Sequence, residues 1–149
     1  MQRFRWAMAS AAFVGSLLIS GHASSQEDRV FDVRVTVAEI SDSEGGVDAR
    51  AKRLDDKLRQ EKFFKYNSLR VIEDRRLKLK MDEVGSVKLP GGNMFRIRPL
   101  NLGDRGLLLA VGWEGEMMMD MRAPSHHLLV VGGPAHGSGQ LVVSIQPEY

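Results

Sequence analysis

The sequence predicts an α+β fold: one amphipathic helix packed on a largely antiparallel, twisted sheet or small open sandwich of about seven strands. Three observations carry this. Apolar residues alternate with period two at 30–40 and again in most segments from 69 to 145. One stretch, 48–65, instead repeats with helical spacing. Clusters of Gly, Pro, Asn, Asp and Ser separate these segments, as turns require.

In chain order, Phe31, Val33, Val35 and Val37 share one face of segment 30–40, and Asp32, Arg34 and Thr36 take the other. β-branched residues at period two mark a half-buried strand. Segment 41–47, SDSEGGV, reads as a loop. Asp48 is a candidate N-cap, with Asp42 and Ser43 competing, and Val47, Ala51, Leu54 and Leu58 fall on one helix face. Phe63, Phe64 and Tyr66, at or past the helix end, are placed to fill the gap between helix and sheet.

The remainder reads as β. Leu69 and Val71, then Leu77, Leu79 and Met81, alternate with charges, and Pro90-Gly91-Gly92-Asn93 makes 85–98 a hairpin. Leu107, Leu109, Val111 and Trp113 share a face, as do Met117, Met119 and Met121. A three-residue Glu114-Gly115-Glu116 loop sets Trp113 opposite Met117, Val111 opposite Met119 and Leu109 opposite Met121. A two-residue loop would set apolar residues against charges. Core packing then explains three of these Met, with Met118 outside. LLVV at 128–131 and LVVSI at 141–145 flank GGPAHGSG, a hairpin with a flexible tip.

The 149 residues suffice for one domain. With no Cys, a disulfide scaffold, a Cys-ligated zinc site and a thiol nucleophile are excluded. Residues 1–23 read as a cleaved signal peptide: Arg3 and Arg5 form a basic start, Trp6 to Ile19 is mostly apolar, and Gly21-His22-Ala23 offers small residues at −3 and −1. That apolar run is short for a bilayer span, so no transmembrane span is expected after cleavage. The organisation is signal peptide 1–23, polar lead-in 24–29 and one domain over 30–147, in a periplasmic or secreted protein. Cleavage removes two Arg and no acid, leaving 19 basic against 19 acidic residues. A neutral exported chain is a poor match to nucleic acid.

Charge is unevenly spread, however. From 50 to 80 there are 12 Lys and Arg against 5 acids. Such a region suits an anionic lipid or cell-wall surface, or an acidic protein face. Candidate partner-binding residues are therefore Arg50, Arg53, Lys57 and Arg59 of the helix, with Gly133 and His136 of the Gly-rich loop.

Catalytic and metal patterns are weak. His126, His127 and His136 with Met118 would be the ligands of a metal-handling protein, but adjacent strand residues point to opposite faces. Ser125, Ser138 and Ser144 lie in no nucleophile motif. The acidic pairs Asp55-Asp56, Glu73-Asp74 and Asp82-Glu83 sit among neutralising cations, which disfavours a cell-wall or lipid hydrolase. The Gly-rich stretch 132–139 is followed by a strand, so it lacks the helix N-terminus of a phosphate loop.

Phe64-Lys65-Tyr66-Asn67-Ser68-Leu69-Arg70-Val71, Leu89-Pro90-Gly91-Gly92 and Val130-Val131-Gly132-Gly133-Pro134, over roughly 30–147, resemble small exported proteins of unassigned function from myxobacteria and related Gram-negative bacteria. The closing strand, Gly-Gly, strand pattern is also similar to the C-terminal strands of secretins, although the repeated ring-forming domains of that family have no counterpart here. The resemblance implies a periplasmic place on a cell-envelope machine. The expected function is a non-enzymatic periplasmic interaction domain, an accessory of a trans-envelope assembly of secretion or motility type. It would bind an envelope protein complex and need no cofactor. The sequence does not assign the free sheet edge; strands 30–40 and 141–147 are candidates, where a partner strand could add.

Overall fold

The alternation of VFDVRVTVAEIS builds β1 (Val30–Ser41), the middle strand of the larger of two sheets. The computed structural model describes residues 28–62, 64–116 and 118–149; the expected signal peptide lies outside them. After β1 come β2 (Gly46–Val47), a 3-10 turn (Ala49–Ala51), α1 (Lys52–Gln60), β3 (Ser68–Lys80), β4 (Gly85–Lys88) and β5 (Met94–Gly103). Then follow β6 (Gly106–Trp113), β7 (Met119–Ala123), β8 (Leu129–His136) and β9 (Gly139–Glu148). One sheet has the order β2-β3-β1-β9-β8 and the other β4-β5-β6-β7. All pairings are antiparallel except β2 with β3. The fold is α+β in the broad sense and mainly β.

Two hydrophobic clusters share the first sheet. Phe31, Val33, Val35 and Val37 of β1 and Leu141, Val143 and Ile145 of β9 face the second sheet, where they meet Phe95, Ile97, Leu107, Leu109 and Val111. The opposite face carries Ala38, Ile40, Leu69, Val71 and Val142 against Ala51, Leu54 and Leu58 of the helical segment. Burial of each large side chain contributes about 1.5–3 kcal/mol. Tyr149 extends the inner packing past 147, with its ring edge-on to Phe31 at 6.0 Å.

β3 serves both clusters through a bulge. Val37 pairs with Glu73, but Ala38 pairs with Val71, so Ile72 is the extra residue. One inserted residue reverses facing. Leu69 and Val71 therefore face the helix, while Leu77 and Leu79 face the second sheet. Uninterrupted alternation would have put all four on one side.

The predicted turns and registers agree in several places. Asp48 caps the helical segment, its carboxylate accepting from the Arg50 N–H at 3.0 Å. β4 and β5 form the expected hairpin around Gly91 and Gly92, both at positive φ. Val111 pairs with Met119 and Leu109 with Met121. The Trp113–Met117 pair falls on a residue outside those described, as does Phe63.

Other expectations are corrected. The α-helix ends at Gln60, not 65, because Glu61 turns extended and the chain doubles back, letting Tyr66 Oη donate to Asp55 at 2.6 Å. Phe64 and Tyr66 do pack in the helix-side cluster. Val47 precedes the helix, in β2, and is 38% exposed; β2 itself lies in the stretch read as loop. Met119 is 47% exposed rather than core, because β7 is an edge strand among the described residues. β1 and β9 are interior strands, each paired on both sides, so neither edge is free for a partner. Residues 132–139 are not a loop: β8 continues to His136, with an irregularity between Gly132 and Ala135 and a turn at Gly137-Ser138.

Candidate functional site

The helix-side face of the first sheet is longer than the helix that covers it. Apolar residues lie under α1; beyond its N-terminal end the same strands present Arg34 and Thr36 (β1), Ser144 and Gln146 (β9) and Asp74 (β3). A small pocket of ≈ 60 Å³ sits at that boundary, lined on one side by Arg34, Thr36, Arg50, Arg53, Ser144 and Gln146 and on the other by Ala51, Leu54 and Leu128. Arg34 is held by a bidentate pair with Asp74, at 3.0 and 2.6 Å. That hydrogen bonding holds the Asp74 carboxyl below its usual range, against the opposing effect of burial. Arg50 is paired in the same way with Asp48, whose pKa falls to about 2, chiefly through the Arg50 side chain. Arg53 donates to the neutral Gln146 Oε1 at 3.2 Å.

The pocket opens onto a groove of ≈ 350 Å³ between α1 and the turn before β8, lined by Arg53, Lys57, Gln60, His126 and His127 together with Asp56, which pairs with Lys52. The groove continues into a largely apolar hollow of ≈ 270 Å³ lined by Phe64, Met121, Leu129 and Val130, with Glu61, paired to Lys57, at its side. Leu128 lines all three spaces, and Lys57 and His127 line the last two. The hollow lies beside β7 and β8, edge strands of their sheets. The turn is anchored: His126, at φ 64, donates its N–H to Pro147 O at 2.7 Å, and Ser125 Oγ bridges the Tyr149 backbone at 3.0 Å. Ser125 is thus occupied in holding this turn to the chain end. Neither Leu128 nor the turn's strap could be read as a site from the sequence; Leu128 looked like the start of an apolar strand.

No family model, curated protein or solved structure matches the chain.

The structure brings Arg53 and Lys57 to one groove and turns the other expected contacts elsewhere. Arg50 serves the polar pocket. Arg59 pairs with Asp55 at 2.9 Å and lies over the Tyr66 ring at 5.3 Å. Gly133 is a packing position: a Cβ there would sit 2.8 Å from the Trp113 ring. His136, at the far end of β8, is 3.4 Å from Glu39.

The excess of positive charge is largely met across strands. Arg70 pairs with Glu39, Arg76 with Glu148 and Lys78 with Asp32. Lys52–Asp56 and Lys57–Glu61 are pairs along the helix. The acidic pairs considered for catalysis are engaged likewise. Burial raises the Asp55 carboxyl, but hydrogen bonds from Arg59 and Tyr66 outweigh it and leave it lowered. Burial and the Asp55 carboxylate both push the Tyr66 hydroxyl up.

His136 stands at the far end of the eight-residue β8, at about 3.3 Å per residue, from the His126-His127 turn, so the three histidines do not converge. Among the described residues no three His, Asp or Glu side chains form a cluster able to hold a metal ion. No described helix is long and apolar enough to cross a membrane.

Proposed function

We propose that the chain is an exported, non-enzymatic interaction domain of the cell envelope, an accessory of a secretion- or motility-type assembly. It would hold an extended segment of a partner protein along the α1 groove. The observation that carries this reading is the continuity of the groove, from Arg53 and Lys57 through Leu128 to Phe64, Met121 and Val130. α1 has nine residues, about 14 Å at about 1.5 Å per residue. That length suits roughly four residues of extended chain. The matching segment carries an acidic residue toward Arg53 and Lys57 and apolar side chains toward Met121 and Leu129. We also take the two sheets as an open sandwich, whose open flank lies at the edges β7 and β8.

Photo-crosslinking in cells tests this. A crosslinker at Leu128 should label an envelope protein within an acidic-to-apolar segment, and one at Gly91 should not. Arg53→Glu with Lys57→Glu should remove the product while the protein stays folded. Equal labelling from both positions, or labelling insensitive to the double variant, would reject the groove. Export is tested separately: the mature N-terminus should be Ser24, and retention of 1–23 on the mature protein would remove the signal-peptide reading.

A further inference from the structure

The polar pocket holds more positive charge than packing requires. Three arginines line it from three elements: Arg34 from β1, Arg50 from the 3-10 turn and Arg53 from α1. Two carboxylates, Asp74 and Asp48, oppose them, and neither lines the pocket. Arg53 has no carboxylate partner among the described residues.

The pairs at Arg34 and Arg50 are bidentate, so each engages one edge of the guanidinium. A guanidinium has more N–H donors than one carboxylate occupies. Both side chains are thereby held in place with donors to spare. Two polar lining residues are buried beside Ala51 and Leu54: Ser144 is 3% exposed and Gln146 7%. Thr36 lines the pocket with them, its hydroxyl on Asp74 at 3.2 Å. Hydroxyl and amide groups at such buried strand positions are uncommon where an apolar side chain would pack.

We propose that this pocket is an oxyanion site that takes a single phosphate group, either free phosphate or the headgroup of an anionic lipid. A planar carboxylate is satisfied by one bidentate arginine. Arginines that line one pocket from three elements suit a tetrahedral group with several acceptor oxygens. The ≈ 60 Å³ volume exceeds the roughly 10–15 Å³ that one water needs and admits one compact group. Anything attached to the phosphate would lie in the adjoining open groove, between Lys57 and His126. Arg53 lines both this pocket and the partner groove, so the site is tested with phosphate and vesicles alone, in the absence of any partner segment.

The test is calorimetric titration of the mature protein with inorganic phosphate in low-salt chloride buffer, beside flotation with phosphatidylglycerol and phosphatidylcholine vesicles. Arg53→Gln removes the unpaired charge, and Ser144→Val places an apolar branch in the lining. Saturable binding that Arg53→Gln weakens roughly tenfold or more supports the site. Phosphate binding without vesicle binding identifies free phosphate as the ligand. Selective flotation with phosphatidylglycerol, lost in Arg53→Gln, identifies the headgroup. Absence of both up to about 10 mM phosphate overturns the proposal, as does binding unchanged in Arg53→Gln. Should Ser144→Val fail to fold, Arg53→Gln decides alone, since its exposed side chain leaves both cores intact.

Discussion

The two faces of the larger sheet are built to different rules. On the inner face β1 and β9 supply an unbroken apolar row, Phe31 to Val37 and Leu141 to Ile145, every residue within 1% of full burial. On the outer face the same strands begin apolar, with Ile40 and Val142 under α1, and end polar, with Thr36, Arg34, Ser144 and Gln146. The inner face has a second sheet to cover it, whereas the outer has a nine-residue helix that runs out partway. Where cover ends, polar groups must find hydrogen bonds, and every buried side-chain polar atom among the described residues does. A site for a ligand therefore falls at the margin of a core, where polar groups and shelter coincide.

The contrast can be broken outright on the inner face of β1. Val35→Asp would place an unpaired carboxylate at a fully buried position among apolar side chains. The expected loss exceeds about 4 kcal/mol, and no cooperative unfolding transition should remain by circular dichroism. A folded, cooperative Val35→Asp variant would show that the inner face tolerates charge.

Truncations should grade the two cores. Phe95→Ala, between the sheets, should cost about 3–5 kcal/mol in urea unfolding, and Leu54→Ala, under the helix, about 2–4. A smaller cost for Phe95→Ala than for Leu54→Ala would reverse the ranking of the faces.

At the inner seam, Gly133→Ala should cost about 1–3 kcal/mol, because its Cβ would press on Trp113 and stand 3.0 Å from Leu141 O. A readout is the Trp113 fluorescence in the native state, expected to shift with the ring. No change in either stability or emission would mean that the seam is loose.

The outer face should show a pH dependence that the inner face lacks. The folded pKa of Asp48 lies near 2, below the ordinary 3.8. A depressed carboxylate contributes stability that is present above its unfolded value and lost as pH falls through the folded one. Unfolding midpoints measured from pH 5 to 2 should fall, and Asp48→Asn should flatten that acid limb without changing the neutral-pH fold. The smallest effect is expected at the exposed Lys52–Asp56 pair, where Lys52→Ala should change stability by no more than about 0.5 kcal/mol.

Much of the candidate site was only half legible. Arg53 and Lys57 stand out by charge and helical spacing, and both line the groove. Arg50 and Arg59 carry the same signal but are engaged at the pocket and at Tyr66. Arg34 sits in a strand that reads as packing, and its partner Asp74 is 40 residues away. Ser144 and Gln146 interrupt an apolar run with no motif to mark them.

What the sequence determined by itself is local. The alternation of β1, the Asp48 cap, the Gly91-Gly92 turn and the Val111–Met119 register each depend on residues near one another along the chain, through period, capping and turn geometry. The tertiary structure decided what depends on distant neighbours. It set which face each half of β3 serves, placed β1 and β9 inside the sheet, and found the acids that neutralise the basic stretch. It also brought α1, β1, β9 and the 124–128 turn around one groove. Periodicity tells a side chain that it has an inside and an outside; only the packing of remote strands says what lies on each.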